Sequence, residues 1–111
     1  MPAHRVVQGN GGRIGGAGVG TNTIIDCSAY GDRLRIKSIC ISIAKFAAGG
    51  YVAITDGTTT HFKWEAITSG GGQPPMVNFP EGYDWGDGLD VVFETNNAIT
   101  AWCIVVAEAR G

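Results

Sequence analysis

Basic side chains are scarce in this sequence: eight lysines and arginines stand against ten acidic residues, for a net charge of -2. They are also scattered, and no Lys/Arg patch of the kind that grips a phosphate backbone forms. A nucleic-acid partner is therefore not expected. Histidine is scarcer still. His4 and His61 are the only two, and neither stands at zinc-site spacing from a cysteine. No cofactor and no bound metal are expected, and a Cys–His nucleophile pair would need an accident of the fold. No run of 18 apolar residues occurs, so no membrane-spanning helix is expected, and no membrane partner is expected either. The first residues carry some positive charge, but a Gly-rich segment follows where the apolar stretch of a secretion signal belongs. No segment makes an amphipathic helix longer than three turns.

The three cysteines, Cys27, Cys40 and Cys103, are an odd number, so at least one stays unpaired. All sit inside apolar runs. They read as three reduced thiols in a protein assembled in a reducing cytoplasm. One disulfide, Cys27–Cys40 or Cys40–Cys103, is the alternative.

What the chain has in excess is glycine, 18 of 111 residues, gathered between apolar runs and near the N-terminus. Residues 9–20 alone hold seven. Ordering such a segment costs much backbone entropy, so residues 1–20 read as an arm, flexible or ordered by a partner, ahead of a domain at 21–111, with residues 4–8 a short edge strand or part of that arm. The run Gly16–Gly20 is not a phosphate loop: no Gly-Lys-Ser/Thr and no following helix accompany it.

Between the glycines the pattern has period 2. In residues 60–67, Phe62, Trp64 and Ala66 alternate with His61, Lys63 and Glu65, as a strand with one buried and one solvated face requires. Residues 33–45 alternate too, but the phase slips at Lys37-Ser38, where a β-bulge would keep both halves on one core. Asp56-Gly57 marks a hairpin between 51–55 and 60–67, since Gly57 accepts the positive φ of a tight turn. Pro75 and Pro80 limit residues 76–79 to a short edge strand. Residues 81–88 then read as a loop. Residues 21–28 and 89–95 add strands. Residues 99–110 are apolar on both faces, the mark of a central strand covered on both sides. The fold class is all-β: an antiparallel two-sheet sandwich of jelly-roll type with about eight strands.

Candidate sites are few. Glu81, Asp84, Asp87 and Asp90 crowd a glycine-containing loop, and carboxylates converging there are the weak metal candidates, with Ca²⁺ in mind. The bland reading is turn structure. Tyr83 and Trp85 in the same loop stack on a sugar in one reading and fold down as a lid over the core in the other. Glu65 and Glu94 project from apolar strands and are the only carboxylates considered for glycosidase chemistry. Ser28, Ser38, Ser42 and Ser69 lack a nucleophile-elbow context. Trp102, Ile104 and Val106, the second apolar face of residues 99–110, form with Arg13 and Ile14 the expected interface.

The order of these segments resembles small β-sandwich virion proteins of tailed bacteriophages, above all capsid decoration (cement) proteins and related head or tail proteins. The resemblance rests on Asp56-Gly57, on Phe79-Pro80-Glu81-Gly82 and on Gly88-Leu89-Asp90-Val91. It covers roughly residues 33–110. It implies a non-catalytic protein of the virion, assembled in the host cytoplasm. It also implies a homo-oligomer, with a trimer favoured, bound to the major capsid protein or another virion protein. The alternative is a carbohydrate-binding module, or a receptor-contacting tail protein, that uses Tyr83 and Trp85.

Overall fold

The structure, a computed structural model, describes residues 4–14, 18–27, 33–46, 49–65, 76–86, 88–96 and 99–110. Eight strands occupy most of them: β1 (His4–Ile14), β2 (Gly20–Ile25), β3 (Leu34–Phe46), β4 (Tyr51–Thr55), β5 (Thr60–Glu65), β6 (Met76–Asp84), β7 (Val91–Thr95) and β8 (Ile99–Arg110). They form two four-stranded sheets, ordered β1-β8-β3-β6 and β2-β7-β4-β5.

The pairing has a simple rule. β1 pairs with β8, β2 with β7, β3 with β6 and β4 with β5, all antiparallel. The chain is thus one long hairpin with its tip at β4–β5. It is rolled up so that β8 also meets β3 and β7 also meets β4. That is a jelly roll. Each connection except β4–β5 crosses from one sheet to the other.

Alternation sorts the core. β8 turns Ala101, Cys103, Val105, Ala107 and Ala109 inward, all buried. β3 supplies Leu34, Ile36, Ile39 and Ile41, also buried. The step from even to odd positions is absorbed by a register shift between Ile36 and Ser38, the bulge that the sequence pattern demands. The opposite sheet contributes Ile25, Val52, Ile54, Val91 and Phe93.

The two open sides of the sandwich are closed by different means. On one, β1 lies against β2, and Gly9 makes this approach close: a Cβ there would fall on the carbonyl oxygen of Ile24 and the side chain of Ile25. Residues 4–14 are a strand paired with β8, longer than the short edge strand open to residues 4–8. The glycines serve close approach, a role that composition cannot tell from flexibility. Residues 15–17 lie outside the described part, as do the expected turn at 29–32 and the Gly/Pro loop at 68–75.

On the other side β5 faces β6, and aromatic side chains fill the gap. Phe62 meets Tyr83 at 4.9 Å and Phe79 at 5.5 Å between ring centroids, and stacks with Trp64 at 6.2 Å. β6 runs on through Pro80 to Asp84, longer than the residues 76–79 expected. Residues 79–82 bulge out between the pairs Asn78–Ser38 and Tyr83–Ile36. Pro80 is tolerated because β6 is an edge. Gly82, with φ +84°, makes the turn of the bulge. Arg35 and Lys37 tie it down through the carbonyls of Glu81 and Pro80.

Candidate functional site

The densest polar arrangement lies at the tip of the rolled hairpin. The β4–β5 loop has four residues, 56–59, as the expected strand bounds leave; the strands close at the Thr55–Thr60 pair. Asp56 organises it. Its Oδ1 accepts the N–H groups of Thr58 at 2.9 Å and Thr59 at 2.7 Å. Its Oδ2 lies 2.8 Å from His61 Nε2. The Thr59 N–H first, then the His61 bond, hold the Asp56 carboxyl at about 2, below the usual carboxylate range.

His61 was expected on a solvated stripe with Lys63 and Glu65. Only the latter two are exposed. The irregularity between Ile54 and Thr55 turns His61 toward the sandwich edge. There its Nδ1 lies 3.0 Å from the Tyr83 hydroxyl, and its ring packs over Trp85 with centroids 4.2 Å apart. An ionised carboxylate only accepts, so Nε2 carries a proton and donates it to Asp56. In the neutral imidazole Nδ1 then accepts from the Tyr83 hydroxyl. Asp56, His61 and Tyr83 form one chain of hydrogen bonds from the hairpin tip to β6.

The Asp56 shift has a consequence in acid. A carboxyl depressed in the folded state contributes stability above its unfolded value, and that contribution disappears as pH falls through the folded value. The contribution of Asp56 is therefore complete above about pH 4 and lost toward about pH 2. Urea unfolding midpoints measured across this window should fall more steeply for the unsubstituted chain than for Asp56→Asn.

Trp85 is 4% exposed. Its backbone N–H donates to the Leu34 carbonyl and its indole N–H to the Asp90 carbonyl. It packs among the buried core residues. Tyr83 lies on β6 rather than in a loop.

Of the expected acidic group, the described members Glu81, Asp84 and Asp90 do not come together. Asp84 accepts Arg35 Nε–H at 3.0 Å, and its side chain is 83% exposed. Asp90 accepts the Cys27 N–H at 2.9 Å. Asp87 lies outside the described residues. Among the described residues no three His, Cys, Asp or Glu side chains come together. Glu65 and Glu94 do share the outer face of their sheet, Glu65 opposite Tyr51 and Glu94 opposite Ala53. Glu65 pairs with Lys63 at 3.1 Å and Glu94 accepts the Tyr51 hydroxyl at 2.8 Å.

Cys27, Cys40 and Cys103 are free thiols. Burial, with Cys40 adding, pushes the Cys103 thiol up to about 12. The register sets Cys40 opposite Ile104 and Cys103 opposite Ile41, so the two cysteines project from opposite faces of one sheet. Ser28 and Ser69 lie outside the described residues.

The second candidate is the outer face of the β1-β8-β3-β6 sheet. Trp102, Ile104 and Val106 run along its middle, and Trp102 is 50% exposed. Gly12 and Ser42 flank Trp102; Asn10, Cys40 and Met76 continue the row of Ile104; Gln8, Ser38 and Asn78 that of Val106. Met76 is 68% exposed, and Val6, one row farther, 76%. The rows of Trp102, Ile104 and Val106 carry no charged side chain, whereas the row of Val6 continues through Glu108, Arg35 and Asp84. Arg13 and Ile14 pair with Ala101 and Thr100 at the Trp102 end; their side chains lie outside the described part.

No family model and no curated protein matches this chain.

The sequence pointed to this face through the double apolar character of 99–110. It missed the Asp56–His61–Tyr83 chain. The first two residues flank a hairpin turn, which brings them together, and that signal was available. Tyr83 joins them only when the two sheets close, and no local pattern carries that.

Proposed function

We propose that this chain is a non-catalytic structural protein of a virion. It assembles as a homo-oligomer, with a trimer favoured, and binds the major capsid protein or another virion protein. The rolled hairpin is compatible with this reading and does not decide it, since jelly rolls serve capsid proteins, lectins and cupins alike. The observation that carries it is the row of Trp102, Ile104 and Val106 on the outer face, with Met76 exposed beside it and charged side chains at the Val6 end. Large apolar side chains gathered on one sheet face mark a surface that another protein covers. The alternative, a carbohydrate-binding module or receptor-contacting tail protein, has the partly exposed Tyr83 to work with, Trp85 being buried.

Two measurements test the reading. Sedimentation of the full chain should show an oligomer that Trp102→Ser weakens, with the unfolding free energy of the subunit changed by about 1 kcal/mol or less. A chain that stays monomeric at tens of micromolar contradicts the oligomer. Particles banded on a density gradient from host cells carrying the gene should contain the chain in fixed stoichiometry. Its absence from banded particles removes the virion assignment.

A further inference from the structure

We propose that Tyr83 is a base-activated phenol, an acylation site at which the chain accepts an acyl group from a small activated ester, with His61 as general base and Asp56 positioning it. A hydroxyl within hydrogen-bond reach of an imidazole, whose other nitrogen is oriented by a carboxylate, is the arrangement that activates nucleophiles in unrelated folds. Here the two contacts are 3.0 Å and 2.8 Å. The carboxylate is itself fixed by the Thr58 and Thr59 N–H groups. The imidazole is backed by Trp85, which two hydrogen bonds hold in place. Every member of the chain is thus oriented by a further contact, more than closing a sandwich edge requires.

The surroundings define the class of donor. Tyr83 is only partly buried, between edge strands that share no hydrogen-bond ladder. Phe62 and Phe79 flank its ring. These walls suit a short alkyl or aryl acyl group without charge. Tyr83 Oη attacks the ester carbonyl carbon as its proton passes to His61 Nδ1. The bond from that carbon to the leaving oxygen breaks, and the proton moves from Nδ1 to that oxygen. The products are an ester of Tyr83 and a free alcohol or phenol. This site is independent of the assembly surface, and a single self-acylation involves no turnover.

The test uses the full chain and p-nitrophenyl acetate near neutral pH, with labelled positions mapped by peptide mass spectrometry. Tyr51 is the internal control, because its hydroxyl is bonded to Glu94 without an imidazole. Tyr83 should be acetylated about 10²-fold faster than Tyr51, the low end of general-base assistance. His61→Ala should abolish that advantage, and added imidazole should restore part of it, which a purely structural role for His61 does not explain. Asp56→Asn should slow Tyr83 less than His61→Ala does. Equal labelling of Tyr83 and Tyr51 in the unsubstituted chain overturns the proposal, whether or not the variants fold. It then leaves the three residues as a latch between β5 and β6.

Discussion

A Gly9→Ala chain is expected to unfold at a far lower urea concentration than the unsubstituted protein, with a loss of about 3 kcal/mol or more. The sign is the informative part. In a strand interior glycine is normally worse than alanine by about 0.5–1 kcal/mol, so propensity alone predicts a gain. At Gly9 the added methyl meets the Ile24 carbonyl and the Ile25 side chain. Overpacking costs about 1–3 kcal/mol where side chains give way. A backbone carbonyl gives way less, so the loss lies at or above the top of that range. Asn10→Ala, one residue on and exposed, should change stability by only about 0.5 kcal/mol. If Gly9→Ala is neutral or stabilising, β1 does not pack against β2 as described.

Phe93→Ala should cost about 3–5 kcal/mol, the usual range for emptying a buried aromatic site. Phe93 is 1% exposed and sits on β7, between Asn22 of β2 and Ile54 of β4. Both neighbours are pinned by strand pairing, so the space left behind has little means of collapsing. For a domain whose total stability is of the order of 5–15 kcal/mol, this loss is a large fraction. The midpoint of urea unfolding should fall with little change in slope, because the surface exposed on unfolding is nearly the same. A cost below about 1.5 kcal/mol would mean that the core is not closed around this ring.

The sheet architecture was legible because alternation is a local property. Leu34, Ile36, Ile39 and Ile41 state both the inward face of β3 and the place of its bulge. The Ala101–Ala109 series states that β8 is central. The glycines of 9–12 were read as an arm because composition reports entropy and not distance, and the neighbour that demands glycine, Ile24, comes from a different sheet. Residues 81–84 were read as a loop because Pro80 and Gly82 are turn residues everywhere except on a bulged edge. His61 was misplaced for a similar reason. Strict period 2 sends it outward, and one irregularity at Thr55 brings it to Tyr83.

The rolled hairpin also bears on how a new chain reaches this state. Pairs near the tip are close in sequence, and β4–β5 can form as soon as residues 51–65 are made. Each later pair encloses a longer stretch of chain, and loops of this length make all-β folds slow. β1 is the extreme case. It is the first of the eight described strands to be made, and its hydrogen-bond partner β8 is the last. Until then Val7 and the glycine-rich strand behind it have no ladder to join. That open strand edge is where a growing chain of this protein is most exposed to pairing with the wrong neighbour.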